Sequence, residues 1–142
     1  MKSISLKGLS AIKRLRRESL TIETSREFII EAEHTAQAIG SGDLAVLGTP
    51  ALLGFVETTC NEMTRPLIAA GETTVGISVQ LDHQQASKVG GNVVVNVSLL
   101  KRVKQIVTYD FTVCQGEKQI ARGSHQRAVV DTGRFLSKLD DK

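Results

Sequence analysis

The 142-residue sequence lacks the features that mark several classes of protein. No apolar run approaches the roughly 20 residues that a membrane-spanning helix needs, so we expect no membrane span. There is no cluster of Cys and His at metal-ligand spacing and no glycine-rich phosphate loop. We therefore expect no metal and no other cofactor. The two cysteines, Cys60 and Cys114, are isolated, and we expect them to be small reduced core residues, as in a reducing compartment.

Basic residues are concentrated at the N-terminus. Residues 1–17 hold six Lys and Arg and no acid, whereas the rest of the chain holds 12 basic and 15 acidic residues. We divide the chain into a basic N-terminal arm, residues 1–17, and a domain, residues 18–142. Three interpretations of the arm stay open: a solvated segment packed on the domain, an organelle-targeting leader, or an arm that touches anionic membrane or nucleic acid.

The arm lacks the uninterrupted apolar segment of a secretory signal, which disfavours export. We expect a cytoplasmic protein. The arm is too short for a complete helix-turn-helix, so nucleic acid is not the partner that we expect.

One long helix is predicted from about residue 50 to residue 69, because Pro50 is favoured at a first helical position and Gly71 ends the segment. Pro66 is expected to kink the helix or end it early. Apolar residues recur along it at spacings of three and four and form one stripe: Leu53, Val56, Cys60, Met63 and Leu67.

The remaining elements are extended. Alternating apolar residues predict strands at about residues 72–84, 93–104, 105–115 and 118–130, after β-rich stretches at 20–24 and 27–31 and a loop at 34–43. No second long helix is present to connect parallel strands. The sequence therefore predicts an α+β fold with one helix packed on an antiparallel sheet.

Three polar residues stand out within these apolar elements. Thr49 precedes Pro50, where an N-cap is also expected, and Glu57 lies beside the apolar stripe two turns later. His83 ends the first long strand, and period two places it on the core face together with Val75, Ile77, Val79 and Leu81. We expect the Glu57 carboxylate and the His83 imidazole to meet there.

Four motifs occur in order along the chain: GDLAVLGTPALLGFVE at 42–57, TVG at 74–76, His83, and GSHQRA at 123–128. Through these motifs the chain resembles, over about residues 27–135, the fluoroacetyl-CoA thioesterase-like family of hotdog-fold acyl-CoA thioesterases. The resemblance implies a hotdog fold, in which a long central helix is wrapped by an antiparallel sheet. It also implies a homodimer or a dimer of dimers, with the active sites at the interface.

The resemblance implies that Thr49, Glu57 and His83 are catalytic. Glu57 would act as base or nucleophile with help from His83, and Thr49 would position the acid or hold the oxyanion. Gly76 and Arg127 would lie on the substrate side. Near Asp43 the fluoroacetyl-specific enzyme carries a bulky aromatic, so we expect a short- or medium-chain acyl-CoA rather than the fluorinated substrate.

Two hypotheses about function follow. The first is a thioesterase that hydrolyses an acyl-CoA to the free acid and CoA. The second is a non-catalytic acyl-CoA-binding hotdog domain that acts as a sensor. The presence of both Glu57 and His83 favours the enzyme, since a sensor has no need of that polar pair.

Overall fold

The structure, a computed structural model, describes residues 22–140. The basic arm lies outside the described residues. The described part of the chain contains five strands: β1 Ile22–Ile29, β2 Glu72–His83, β3 Asn92–Val103, β4 Ile106–Gln115 and β5 Lys118–Asp131. They form one antiparallel sheet in the order β1-β3-β4-β5-β2, so that β1 and β2 are its edges.

The helices are α1 Ala36–Ile39, α2 Thr49–Thr64 and α3 Thr132–Ser137, with 3₁₀ turns at Ala32–His34 and Arg65–Leu67. The predicted loop at 34–43 therefore contains one helical turn, whose N-cap Thr35 accepts a hydrogen bond from Ala38. One long helix against an antiparallel sheet confirms the α+β prediction.

Helix α2 buries one side against the sheet. Val56, Cys60 and Met63 of the predicted stripe are buried, whereas Leu53 and Leu67 are only half-buried. The helix ends at Thr64, before residue 69, in agreement with the expectation that Pro66 ends it early, because Pro66 has no backbone N–H to donate to the preceding turn.

The sheet supplies the other half of the core through alternating residues of β3 and β4. Tyr109 is the largest of these and is fully buried, and its hydroxyl lies 2.6 Å from Thr64 Oγ1 on α2. Burial raises the pKa of Tyr109 to about 12. The phenol therefore stays neutral and ties the helix to the sheet by a hydrogen bond.

The period-two prediction for β2 is wrong in the first half of the strand. The pairing of β2 with β5 shifts between Gly76 and Ser78, where Ile77 is an extra residue. Such a shift exchanges the two faces of a strand. Val75 therefore lies on the outer face, and Ile77 is 50% exposed.

The same bulge brings two candidate site residues onto one face. Gly76 is opposite Arg127 and His83 is opposite Ala121, and both of these β5 residues are buried beneath α2. Residues directly opposite each other in an antiparallel pair share a face. Gly76 and His83 differ by an odd number of positions, so a regular strand would have placed them on opposite faces.

Candidate active site

Thr49 and His83 form a pair at the start of α2. The N-cap of this helix is Gly48, so Thr49 is its first residue and not its cap. The Thr49 side chain instead makes a hydrogen bond of 2.8 Å between its Oγ1 and Nδ1 of His83. The expected N-cap role of Thr49 is therefore wrong, because its hydroxyl is engaged by the end of β2.

The other ring nitrogen of His83, Nε2, is buried and has no hydrogen-bond partner among the described residues. Burial lowers the pKa of His83 below its usual 6.5. The backbone of Gln85 raises the pKa of His83 and so partly opposes the effect of burial. It does not form a hydrogen bond of ordinary geometry with Nε2. The imidazole is therefore held in the neutral form, in which it can accept a proton.

Glu57 lies two turns further along α2, in a second cluster. Its Oε2 is 3.2 Å from Arg127 Nη1 and 4.0 Å from His125 Nε2. The Glu57 side chain is 42% exposed, whereas the side chains of Arg127 and His125 are buried. The carboxylate is thus anchored by a buried cation on one side and open to solvent on the other.

The geometry fixes the tautomer of His125. Its Nδ1 is 2.8 Å from the carbonyl oxygen of Ser78, which can only accept, so Nδ1 carries the proton. Nε2 of the neutral ring then accepts from Arg127 Nη1 at 3.2 Å. Burial lowers the pKa of His125, and the charge of Arg127 contributes to the same shift, against the opposing effects of the Ser78 carbonyl and Glu57.

The expected meeting of Glu57 with His83 does not occur within one chain. Thr49 and Glu57 are eight residues apart on α2, which is about 12 Å along the axis of an α-helix. His83 contacts Thr49, and Glu57 contacts Arg127 instead. The predicted residues therefore form two clusters: the Thr49/His83 pair and the Glu57/Arg127/His125 cluster.

Gly76 and Arg127, expected on the substrate side, both adjoin Glu57. From the sequence, His125 is expected to be mainly structural or to lie at the edge of the substrate, and not to join the catalytic residues. The sequence nevertheless contains a signal for its place in the cluster. His125 and Arg127 are two residues apart on β5, so both side chains lie on the inner face of the sheet.

Asp43 and Leu44, the stretch in which the resemblance implies an aromatic residue for the fluoroacetyl-specific enzyme, lie between α1 and α2. Both are exposed, and Leu44 is 68% exposed.

Within residues 22–140, no group of three or more His, Cys, Asp and Glu is arranged to hold a metal ion. No helix in that part of the chain combines the length and the apolar character needed to cross a membrane.

Comparison with known proteins places this geometry in a family. A family model described as fluoroacetyl-CoA-specific thioesterase matches residues 30–133. The fluoroacetyl-CoA thioesterase of Streptantibioticus cattleyicolor is 26% identical over 97 residues, which cover 68% of this chain and 70% of that protein.

Solved structures share the fold. A structure of the fluoroacetyl-CoA thioesterase has a TM-score of 0.81 at 21% identity, covering 86% of this chain and 95% of that one. A thioesterase superfamily member from Thermus thermophilus has a TM-score of 0.78 at 17% identity, covering 85% and 90%. A hot-dog-like protein from Thermanaerovibrio acidaminovorans also has a TM-score of 0.78, at 15% identity and with the same coverage. The chain therefore belongs to the fluoroacetyl-CoA-specific thioesterase family and is a thioester hydrolase with the hotdog fold.

Proposed function

We propose that this protein hydrolyses a short- or medium-chain acyl-CoA to the free acid and CoA, with Glu57 as base or nucleophile assisted by His83 and Thr49. The observation that carries the proposal is the environment of Glu57. Its carboxylate is half-exposed, is paired with the buried Arg127 guanidinium, and faces the bare backbone of Gly76. A carboxylate held in this way can approach a carbonyl carbon while its position stays defined.

The separation of the two clusters favours a site shared between two chains. A span of about 12 Å is too long for Glu57 and the Thr49/His83 pair of one chain to act on one carbonyl group, since reacting atoms must approach to about 3–3.5 Å. In a two-fold dimer, Glu57 of one copy could instead face the Thr49/His83 pair of the other. We propose that each active site is formed in this way.

We expect the two copies of such a dimer to meet along the edge strand β2. Ile77 and Val79 are 50% and 41% exposed on it, which is unusual for large apolar side chains next to a candidate site. Among residues 22–140, no strand pairs with one side of the β2 backbone, and a second copy of β2 could pair with it. The other edge, β1, carries Glu23, Arg26 and Glu27, which oppose association.

The reaction needs a nucleophile, a group that stabilises the oxyanion and a proton for the leaving thiolate. With Glu57 as base, its carboxylate takes a proton from water and the oxygen of that water bonds to the carbonyl carbon. The C–S bond then breaks, and the proton passes to the CoA thiolate. Thr49 would donate its hydroxyl proton to the oxyanion, while its oxygen accepts a hydrogen bond from Nδ1–H of the neutral His83 ring.

A pair of variants on α2 tests the proposal. Glu57→Gln keeps the size of the side chain and removes the base, so thiol release from an acyl-CoA panel should fall by about 10²–10⁴. Glu62→Gln is the matched control, because Glu62 lies on the same helix, is 45% exposed and pairs with Arg26 at 2.7 Å. The control should hydrolyse the best acyl-CoA at the wild-type rate. Wild-type turnover by Glu57→Gln would remove Glu57 from the mechanism.

Isotope labelling tests the nucleophilic role of Glu57. In that route the carboxylate displaces the CoA thiolate to form an acyl anhydride, which water then hydrolyses. A single turnover in H₂¹⁸O would place ¹⁸O in Glu57 when water attacks the glutamyl carbonyl of that anhydride. The base-catalysed route never labels Glu57, so ¹⁸O in this residue identifies the nucleophilic route. Mass spectrometry of the peptide that contains residue 57 measures the difference.

A further inference from the structure

Arg127, the cation beside Glu57, is held by a single residue of β2. Its Nε donates to Thr74 Oγ1 at 2.8 Å, and its Nη2 donates to the Thr74 carbonyl oxygen at 3.1 Å. Both Arg127 and Thr74 are buried. Thr74 therefore fixes the plane of the guanidinium, because two of its three nitrogens bond to two atoms of one residue.

The hydroxyl of Thr74 continues the chain of hydrogen bonds to α2. It accepts from Arg127, so its own proton is free to be donated, and it donates to Asn61 Oδ1 at 2.7 Å. Asn61 is four residues after Glu57 on the same helix, so the two side chains lie on one face. Hydrogen bonds thus link Glu57 to Arg127, Arg127 to Thr74 and Thr74 to Asn61, and one turn of α2 completes the ring between Asn61 and Glu57.

Each donor and acceptor in this ring has a defined direction. Arg127 can only donate and the Glu57 carboxylate accepts, which leaves Thr74 as the one member that both accepts and donates. Removing its hydroxyl would leave the buried Arg127 Nε and Asn61 Oδ1 without these bonds at the same time. The guanidinium could then rotate away from Glu57.

We infer that Thr74 and Asn61 are positioning residues that hold the Glu57 carboxylate in its reactive place by way of Arg127. The inference rests on the proposed function, since it assumes that Glu57 performs the chemistry. Neither residue needs to touch the substrate. They act on the rate of the chemical step because a misplacement of about 1 Å can cost up to 100-fold in rate.

The test is Thr74→Val, which keeps the shape of the side chain and the backbone carbonyl but removes the hydroxyl. We expect kcat to fall by about 10- to 100-fold with little change in KM. Thr74→Ser should restore most of kcat. Thr59→Val is the matched control, because the buried Thr59 hydroxyl donates only to the Phe55 carbonyl of its own helix. It should keep the wild-type kcat.

A double-mutant cycle separates positioning from simple support of the fold. If Thr74 acts through Arg127, Thr74→Val should lower kcat little further in an Arg127→Lys protein. Additive losses, or a Thr74→Val protein with wild-type kcat and only a lower melting temperature, would overturn the inference.

If Thr74→Val does not fold, kcat can be measured for Asn61→Ala instead, since Asn61 is only half-buried. A lower kcat for this variant supports the inference, and the wild-type kcat overturns it. Failure of the proposed function gives a different result, which is wild-type turnover by Glu57→Gln.

Discussion

Gly76 lies so close to Glu57 that a β-carbon at residue 76 would come within 2.5 Å of Glu57 Oε2. The same β-carbon would also lie 3.3 Å from His125 Cε1 and 3.4 Å from Arg127 Nη1. The φ angle of Gly76 is not positive, so the backbone itself does not require glycine. The absence of a side chain at residue 76 is therefore what leaves room for the carboxylate.

Gly76→Ala should lower activity without unfolding the protein. The atom that the new methyl group meets is the end of a flexible side chain, which can rotate away, and the carboxylate then leaves its place beside Arg127. We expect kcat/KM to fall by about 10²-fold and the melting temperature to change little. Steady-state thiol release and thermal unfolding measure the two effects.

Gly91→Ala is the control for this prediction. Its β-carbon would also meet the end of a flexible side chain, Gln115 Nε2 at 2.4 Å, and its φ angle is likewise not positive. It should show the same small change in stability with full activity. Equal activity of the two alanine variants would mean that the place of the Glu57 carboxylate does not matter to turnover.

Thr49→Ala should lower kcat, although less than Glu57→Gln does, because it removes the hydroxyl partner of His83 and no other side-chain hydrogen bond within residues 22–140. Since Gly48 is the N-cap of α2, the free energy of unfolding should change by less than about 0.5 kcal/mol. Thr49→Ser should keep most of the activity. Thiol release and chemical denaturation of the three proteins test this.

Thr35→Ala provides the contrast. Thr35 is a true N-cap, whose Oγ1 accepts from the Ala38 N–H at 3.1 Å, and its loss should cost about 1 kcal/mol. If Thr49→Ala destabilised the protein as much as Thr35→Ala, the hydroxyl of Thr49 would have a structural role that its contacts do not reveal.

Stability should fall as the pH drops from about 6.5 towards 5. Burial lowers the folded-state pKa of His83 and of His125, so the unfolded chain takes up protons on these rings before the folded chain does. Their stabilising contribution is complete above the unfolded value of 6.5 and is lost as the pH falls through the lowered pKa values.

His125→Asn tests the second of these contributions, because an amide N–H can replace Nδ1 as the donor to the Ser78 carbonyl while nothing titrates. Its melting temperature should depend less on pH between 7 and 5 than that of the wild type. An unchanged pH dependence would show that His125 does not resist protonation in the folded protein.

The regular parts of the fold could be predicted from the sequence because each reflects local periodicity. The apolar alternation of β3 and β4 and the stripe on α2 gave the element boundaries to within a few residues, except at the C-terminal end of the helix. The bulge at Ile77 could not be predicted, since Val75, Ile77 and Val79 continue the alternation without a break. It results from pairing with β5, which is a contact between residues far apart in sequence.

The site could be predicted only in part for the same reason. The motifs single out Thr49, Glu57 and His83 as candidates, but the contacts that these side chains make depend on tertiary packing. Arg127 was assigned to the substrate side, while its ion pair with Glu57 and its bonds to Thr74 appear only in the structure.

Mixing two inactive variants tests the central claim, a site shared between two chains, most directly. Glu57→Gln and His83→Ala should each be nearly inactive alone. If Glu57 and His83 of one site come from different chains, each mixed dimer regains one intact site, and random exchange should restore about a quarter of wild-type activity. The two proteins are unfolded together, refolded and assayed for thiol release. A mixture no more active than the separate variants would contradict the account.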